Sequence, residues 1–84
     1  RFNRSEGRLE DMVVKGNQFG VEGRTASNVG MLRVTMENNV RGGDVSGFSY
    51  FSINNCTIRN NTQNGILVRT LAHAYIFGDT VIQN

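Results

Sequence analysis

The chain has 84 residues and a net charge of +2, with nine Lys/Arg against seven Asp/Glu. That length allows one small domain, and a single cysteine and a single histidine exclude an intrachain disulfide and a Cys/His zinc set. With those staples missing, burial must come from repeated coils, from a partner chain, or from both.

Arg1, Arg4 and Arg8 form the densest basic group, but Glu6 and Glu10 lie among them. This reads as a solvated segment, not the one-sided basic stripe of a nucleic-acid surface, so no nucleic-acid partner is expected. The opening Arg-Phe-Asn-Arg has no signal-peptide character, and no apolar run approaches the ~20 residues of a membrane span. Without an initiator Met, the chain reads as a piece of a longer protein.

Period-two alternation begins at Met12-Val13-Val14 and returns at Tyr50 to Ile53 and at Ile66 to Arg69. Strands place alternate side chains on opposite faces, whereas no run shows the three-and-four spacing of a helix. The glycine content, ten residues, and recurrent asparagines break the strands at tight turns, because both residue types tolerate left-handed backbone.

A repeat unit recurs along the chain. Val14-Lys-Gly-Asn17-Gln-Phe19 is the first copy. Met36-Glu-Asn-Asn39-Val-Arg41 is the second, with Arg where Ile is expected. Ile53-Asn-Asn-Cys56-Thr-Ile58-Arg-Asn-Asn61 and Ile76-Phe-Gly-Asp79-Thr-Val81-Ile-Gln-Asn84 follow. The anchors Val14, Met36, Ile53 and Ile76 are 22, 17 and 23 residues apart, and the short interval points to a slipped register near Val34 to Met36. Each repeat winds once around and lands on the one before, with parallel strands about 4.8 Å apart. On this alignment Ile53, Ile58, Ile66, Val68, Ile76 and Val81 point inward. Asn17, Asn39, Cys56 and Asp79 form one corner stack, and Asn61 and Asn84 another. The expectation is one domain over 1–84, all-β, a right-handed parallel β-helix of about four coils.

The stretch INNCTIRNNTQNGILV, from Ile53 to Val68, resembles the repeat of the pectin-lyase-like parallel β-helix superfamily. That resemblance implies polysaccharide lyases and hydrolases, phage tailspike depolymerases or adhesive surface proteins. It therefore implies an extracellular or virion-surface setting and a trimer as one mode of assembly. Polygalacturonase-like members carry clustered aspartates, which this segment lacks.

Cys56 reads as a buried structural thiol, since no base with an orienting group accompanies it. His73, in Leu-Ala-His-Ala-Tyr, reads as a surface residue. Glycoside hydrolysis needs two facing carboxylates, ~5–5.5 Å apart for retention or ~6.5–9.5 Å for inversion. Glu37 and Asp44 are the outward candidates for such a pair, while Asp79 falls on a ladder position. Arg41-Gly-Gly-Asp44 resembles one degenerate copy of a calcium-binding repeat and reads as a plain turn, so no metal and no cofactor is expected. Tyr50, Tyr75 and Phe77 fall on the outward phase, forming a strip that packs against a subunit or loop or stacks on sugar rings. Two function classes follow. One is polysaccharide recognition, with or without cleavage. The other is a non-catalytic shaft of a virion fibre or surface adhesin.

Overall fold

The structure is a computed structural model describing residues 1–84. It has ten strands and no helix: β1 (Phe2–Asn3), β2 (Glu6–Lys15), β3 (Phe19–Arg24), β4 (Asn28–Glu37), β5 (Arg41–Val45), β6 (Tyr50–Asn54), β7 (Thr57–Arg59), β8 (Asn64–Val68), β9 (His73–Phe77) and β10 (Val81–Gln83). All pairings are parallel. Strands β1, β3, β5 and β8 stack into a short-strand sheet; the other six form a long-strand sheet. The chain is a parallel β-solenoid of about four turns. With no helix, no helix is long and apolar enough to cross a membrane.

The repeat is set by where the backbone turns left-handed. Asp11, Arg33, Asn55 and Gly78 all have positive φ, as do Gly16, Asn38 and Asn60. The pairs Thr25–Ala26, Gly47–Phe48 and Thr70–Leu71 do the same at the third corner. Asn and Gly accept this conformation at little cost, whereas Thr, Phe and Leu are strained in it. At Asp11 and Arg33 the left-handed residue interrupts one long strand. In the next two coils the same position separates β6 from β7 and β9 from β10.

These corners fix a register that differs from the one the anchors suggested. Val14 stacks on Met36 and Met36 on Ile58, while Met31 stacks on Ile53 and Ile53 on Ile76. Met36 and Ile53 therefore belong to two different ladders, and the 17-residue interval joined positions that never meet. The last coil also carries an extra residue at its corner. Ile58 pairs with Ile82 and Thr57 with Val81, so Ile82 takes the inward position expected of Val81. Opposite Cys56 stands Thr80, whose hydroxyl accepts from the Cys56 amide, while Asp79 is exposed and uses only its backbone N–H, on Asn55. Arg41 to Asp44 is strand, in β5, and not a turn.

The asparagine stack is a single ladder. The Asn17 amide donates to Asn39 Oδ1 at 3.0 Å, and the Asn39 amide donates to Asn61 Oδ1 at 3.0 Å. Each side-chain amide also reaches back to the coil above: Asn39 Nδ2 to the Val14 carbonyl and Asn61 Nδ2 to the Met36 carbonyl. Asn84 closes the ladder by donating from Nδ2 to the Asn61 carbonyl. Asn39 and Asn61 are buried, and the bonds between the Asn39 amide and Asn61 Oδ1 and between Asn61 Nδ2 and the Met36 carbonyl satisfy backbone groups inside the corner. A second inter-coil link uses serine, with the Ser27 amide donating to Ser49 Oγ.

The core is one column. Val21, Val29, Met31, Val34, Met36, Val45, Phe51, Ile53, Cys56 and Ile58 are buried together. Phe51 crosses the interior from β6 to the short-strand sheet. A Cβ on Gly23 would fall 2.7 Å from its ring, and one on Gly43 would fall 3.2 Å from it. Two bare positions on one sheet thus accommodate one large side chain on the other.

Candidate functional site

The outer face of the long-strand sheet presents three ladders side by side, each fixed by the strand register. Glu6, Asn28, Tyr50 and His73 form one; Arg8, Gly30, Ser52 and Tyr75 the next; Glu10, Leu32, Asn54 and Phe77 the third. Their neighbours Val29, Met31, Phe51 and Ile53 point inward, so alternation drives these residues out.

At the fourth-coil end of this face the aromatic side chains associate. Tyr50 and His73 stack with ring centroids 5.3 Å apart and planes 10° from parallel. Tyr75 lies 6.2 Å from each, tilted by 16° and 17°. Adjacent rungs of a parallel sheet bring ladder partners to about 4.8 Å, the spacing at which flat rings lie face on. Tyr50, Tyr75 and Phe77 are all exposed, as the alternation implied. The outward phase of the sequence pointed to Tyr50 and Tyr75 but not to His73 as the third member of the wall. Extending the 23-residue offset from Tyr50 would have found it.

Beside the aromatic wall is a trough of about 250 Å³, lined by Gly7, Arg8, Gly30, Met31, Leu32, Ser52 and Asn54. Arg8, Gly30 and Ser52 of its lining lie on one ladder, whose next rung is Tyr75. Arg8 Nε lies 2.6 Å from Glu10 Oε1, so the one cation in the lining is already paired. The trough thus combines hydroxyl, amide and guanidinium groups with apolar lining at Met31 and Leu32, and Tyr75 stands one rung beyond Ser52.

The two carboxylates singled out in the sequence occupy different sheets. Glu37, at the end of β4, accepts from Arg59 Nε at 3.0 Å. Asp44, in β5 on the short-strand sheet, has no solvent exposure; Oδ1 accepts from Arg69 Nε, and Oδ2 from both Arg69 Nη2 and Arg41 Nη1. Each acid is held by its own arginines. The acid that the register does bring one rung from Asp44 is Glu22, itself buried and paired with Arg24 and Arg1. Both are enclosed by guanidinium groups and face no cleft. Cys56 is a buried free thiol whose contacts are backbone carbonyls, as expected of a packing residue.

No protein-family model matches the chain, and neither a curated protein nor a solved structure does.

Proposed function

We propose that this chain is the carbohydrate-recognition segment of a parallel β-helix protein of the pectin-lyase-like type, acting at an extracellular or virion surface as tailspikes do. The observation that carries the reading is the stacked Tyr50–His73–Tyr75 wall, one rung from Ser52 of a trough on the same outer sheet face. Exposed aromatic side chains next to hydrogen-bonding groups suit sugar rings, which have an apolar face and a hydroxyl-bearing edge. The reading is recognition without cleavage by these residues, because Glu22, Glu37 and Asp44 all have arginine partners. Glycan-array binding, followed by an assay for reducing ends or unsaturated products, tests it. Saccharide binding without product is expected. Product formation that survives Glu37→Gln and Asp44→Asn would place a reaction elsewhere, and an array with no binding would remove the reading.

A specific observation favours a second reading, a structural shaft built from further coils or from a trimer. Inward-phase side chains of the fourth coil, Val68, Ile76 and Ile82, are exposed. Solenoid coils are stabilised chiefly by their neighbours, so this surface suits a covering coil or subunit.

A further inference from the structure

Gly30 is the one glycine of the long-strand face for which neither backbone conformation nor packing gives a reason. It does not take a left-handed φ, unlike Gly16, Gly47 and Gly78. A Cβ built on it meets nothing within 4 Å, whereas one on Gly42 would fall 2.5 Å from the Gly65 carbonyl oxygen and one on Gly43 2.7 Å from Ile66 Cδ1. Glycine inside a strand weakens it and marks a place where a ligand or another backbone comes close. Here no backbone does. What the missing side chain leaves is the open floor of the trough, between Arg8 on one rung and Ser52 on the other.

The charges around that floor select among saccharides. Arg8 is paired with Glu10, and Glu6 stands in the adjacent ladder on the same strand. The only other polar side chains in the lining are Ser52 and Asn54, both neutral. A carboxylated or sulfated sugar would find no free cation in the trough and would meet Glu10 and Glu6 at its edge. Hydroxyl groups both donate and accept, so an uncharged ring can use the Ser52 hydroxyl, the Asn54 amide and the remaining N–H groups of Arg8 together.

We infer that the trough over Gly30 is a subsite for one uncharged sugar ring, adjacent to a second ring stacked on Tyr75, and that Gly30 sets its specificity. The inference rests on the carbohydrate reading above. It assigns the saccharide class and a specificity-determining residue to that face.

The test uses the full chain. Neutral gluco-, galacto- and manno-oligosaccharides and a uronic-acid oligomer of the same length are titrated by calorimetry against wild type, Tyr75→Ala, Gly30→Leu and Asn54→Ala. At least one neutral oligomer is expected to bind in preference to the uronic-acid oligomer. Tyr75→Ala and Gly30→Leu should each weaken it tenfold or more, and Asn54→Ala several-fold, with circular-dichroism melts of Gly30→Leu and Asn54→Ala unchanged. If Gly30→Leu fails to fold, Asn54→Ala decides, since Asn54 is exposed and outside the core. Loss of binding in Tyr75→Ala with full binding in Gly30→Leu, or in Asn54→Ala where that variant decides, overturns the subsite and leaves the recognition reading standing. Preference for the uronic-acid oligomer overturns the assignment of an uncharged ring. Binding of no oligomer overturns both the subsite and the reading beneath it.

Discussion

The third and fourth coils share the same ladders and differ in how many neighbours they have. Ile53 is 0% exposed and its ladder partner Ile76 is 51% exposed. Val45 and Val68 compare at 0% and 42%, and Ile58 and Ile82 at 0% and 40%. The side chains are chemically alike and point to the same interior. A coil of a solenoid therefore owes its core to the rungs above and below it, not to its own sequence. The opposite end is treated differently. There the ring of Phe2 fills the space beside Gly7, so the first coil is partly covered from within the chain.

The sharpest way to break this comparison is a charge at equivalent positions. Ile58→Asp buries an unpaired carboxylate in the column and should cost more than about 4 kcal/mol, enough to unfold a small domain. Ile82→Asp puts the same group where water reaches it and should cost about 1 kcal/mol or less. Equal losses in urea unfolding would mean that the fourth coil is as dry as the third.

A milder pair sharpens the point. Ile53→Ala should cost about 2–5 kcal/mol, as truncations in packed cores do, while Ile76→Ala should cost less than about 1 kcal/mol. The difference carries information about assembly. If a further coil or a second copy covers β9, the cost of Ile76→Ala rises towards that of Ile53→Ala as the cover is added. Melts at increasing protein concentration, alongside sedimentation, would read this. A flat response across concentrations would argue against self-association through this edge.

The alternation was legible in the sequence because it is local. Phe51 and Ile53 inward, Tyr50 outward, and Cys56 buried all follow from neighbouring residues. The fold class was legible because the asparagines recur at a regular offset. Register was harder, since two apolar ladders, Val14–Met36–Ile58 and Met31–Ile53–Ile76, run through each coil with similar residues. Apolar anchors cannot tell those ladders apart, and the left-handed corners can. Gly16, Asn38 and Asn60 keep a 22-residue interval, and the extra residue at the other corner of the last coil falls between Phe77 and Thr80. The trough was invisible because its defining feature is a missing side chain at Gly30, which a turn-seeking reading passes over. The Glu22–Asp44 juxtaposition needed the corrected register before it could be seen.

The polar ladder offers a third contrast. Asn39 is buried and uses both ends of its amide, accepting from the Asn17 backbone and donating to the Val14 carbonyl. Asn39→Ala strands those groups and should cost about 1–3 kcal/mol. Asn84→Ala removes a single bond, to the Asn61 carbonyl, from an exposed side chain and should cost less, about 1 kcal/mol or under. Thermal melts of the two variants rank them. Hydrogen exchange adds a positional check, because the Asn17 amide should lose its protection in Asn39→Ala.

The smallest effect lies where corner strain and charge oppose each other. Asp11 and Arg33 are both left-handed and sit on adjacent rungs, with the Arg33 guanidinium donating to both carboxylate oxygens of Asp11, the Nη2–Oδ2 distance being 3.0 Å. The hydrogen bond from Arg33 is the largest cause holding the Asp11 carboxyl below its ordinary value, with the charge of Arg33 adding to it and desolvation opposing it. A carboxyl lowered on folding stabilises the fold above its unfolded value, and that contribution is lost as pH falls through the folded one. Arg33→Asn removes the pair but puts a residue suited to left-handed backbone at that corner. At neutral pH the two changes oppose each other, so the melting temperature should move little. In acid, below the folded value of Asp11, wild type has lost the pair as well and only the backbone gain separates the two proteins. The variant should then melt above wild type. High salt at neutral pH should move the comparison the same way, because the pair is exposed and screened. A variant that melts further below wild type in acid than at neutral pH would show that the Asp11–Arg33 pair does not supply the acid-sensitive contribution at this corner.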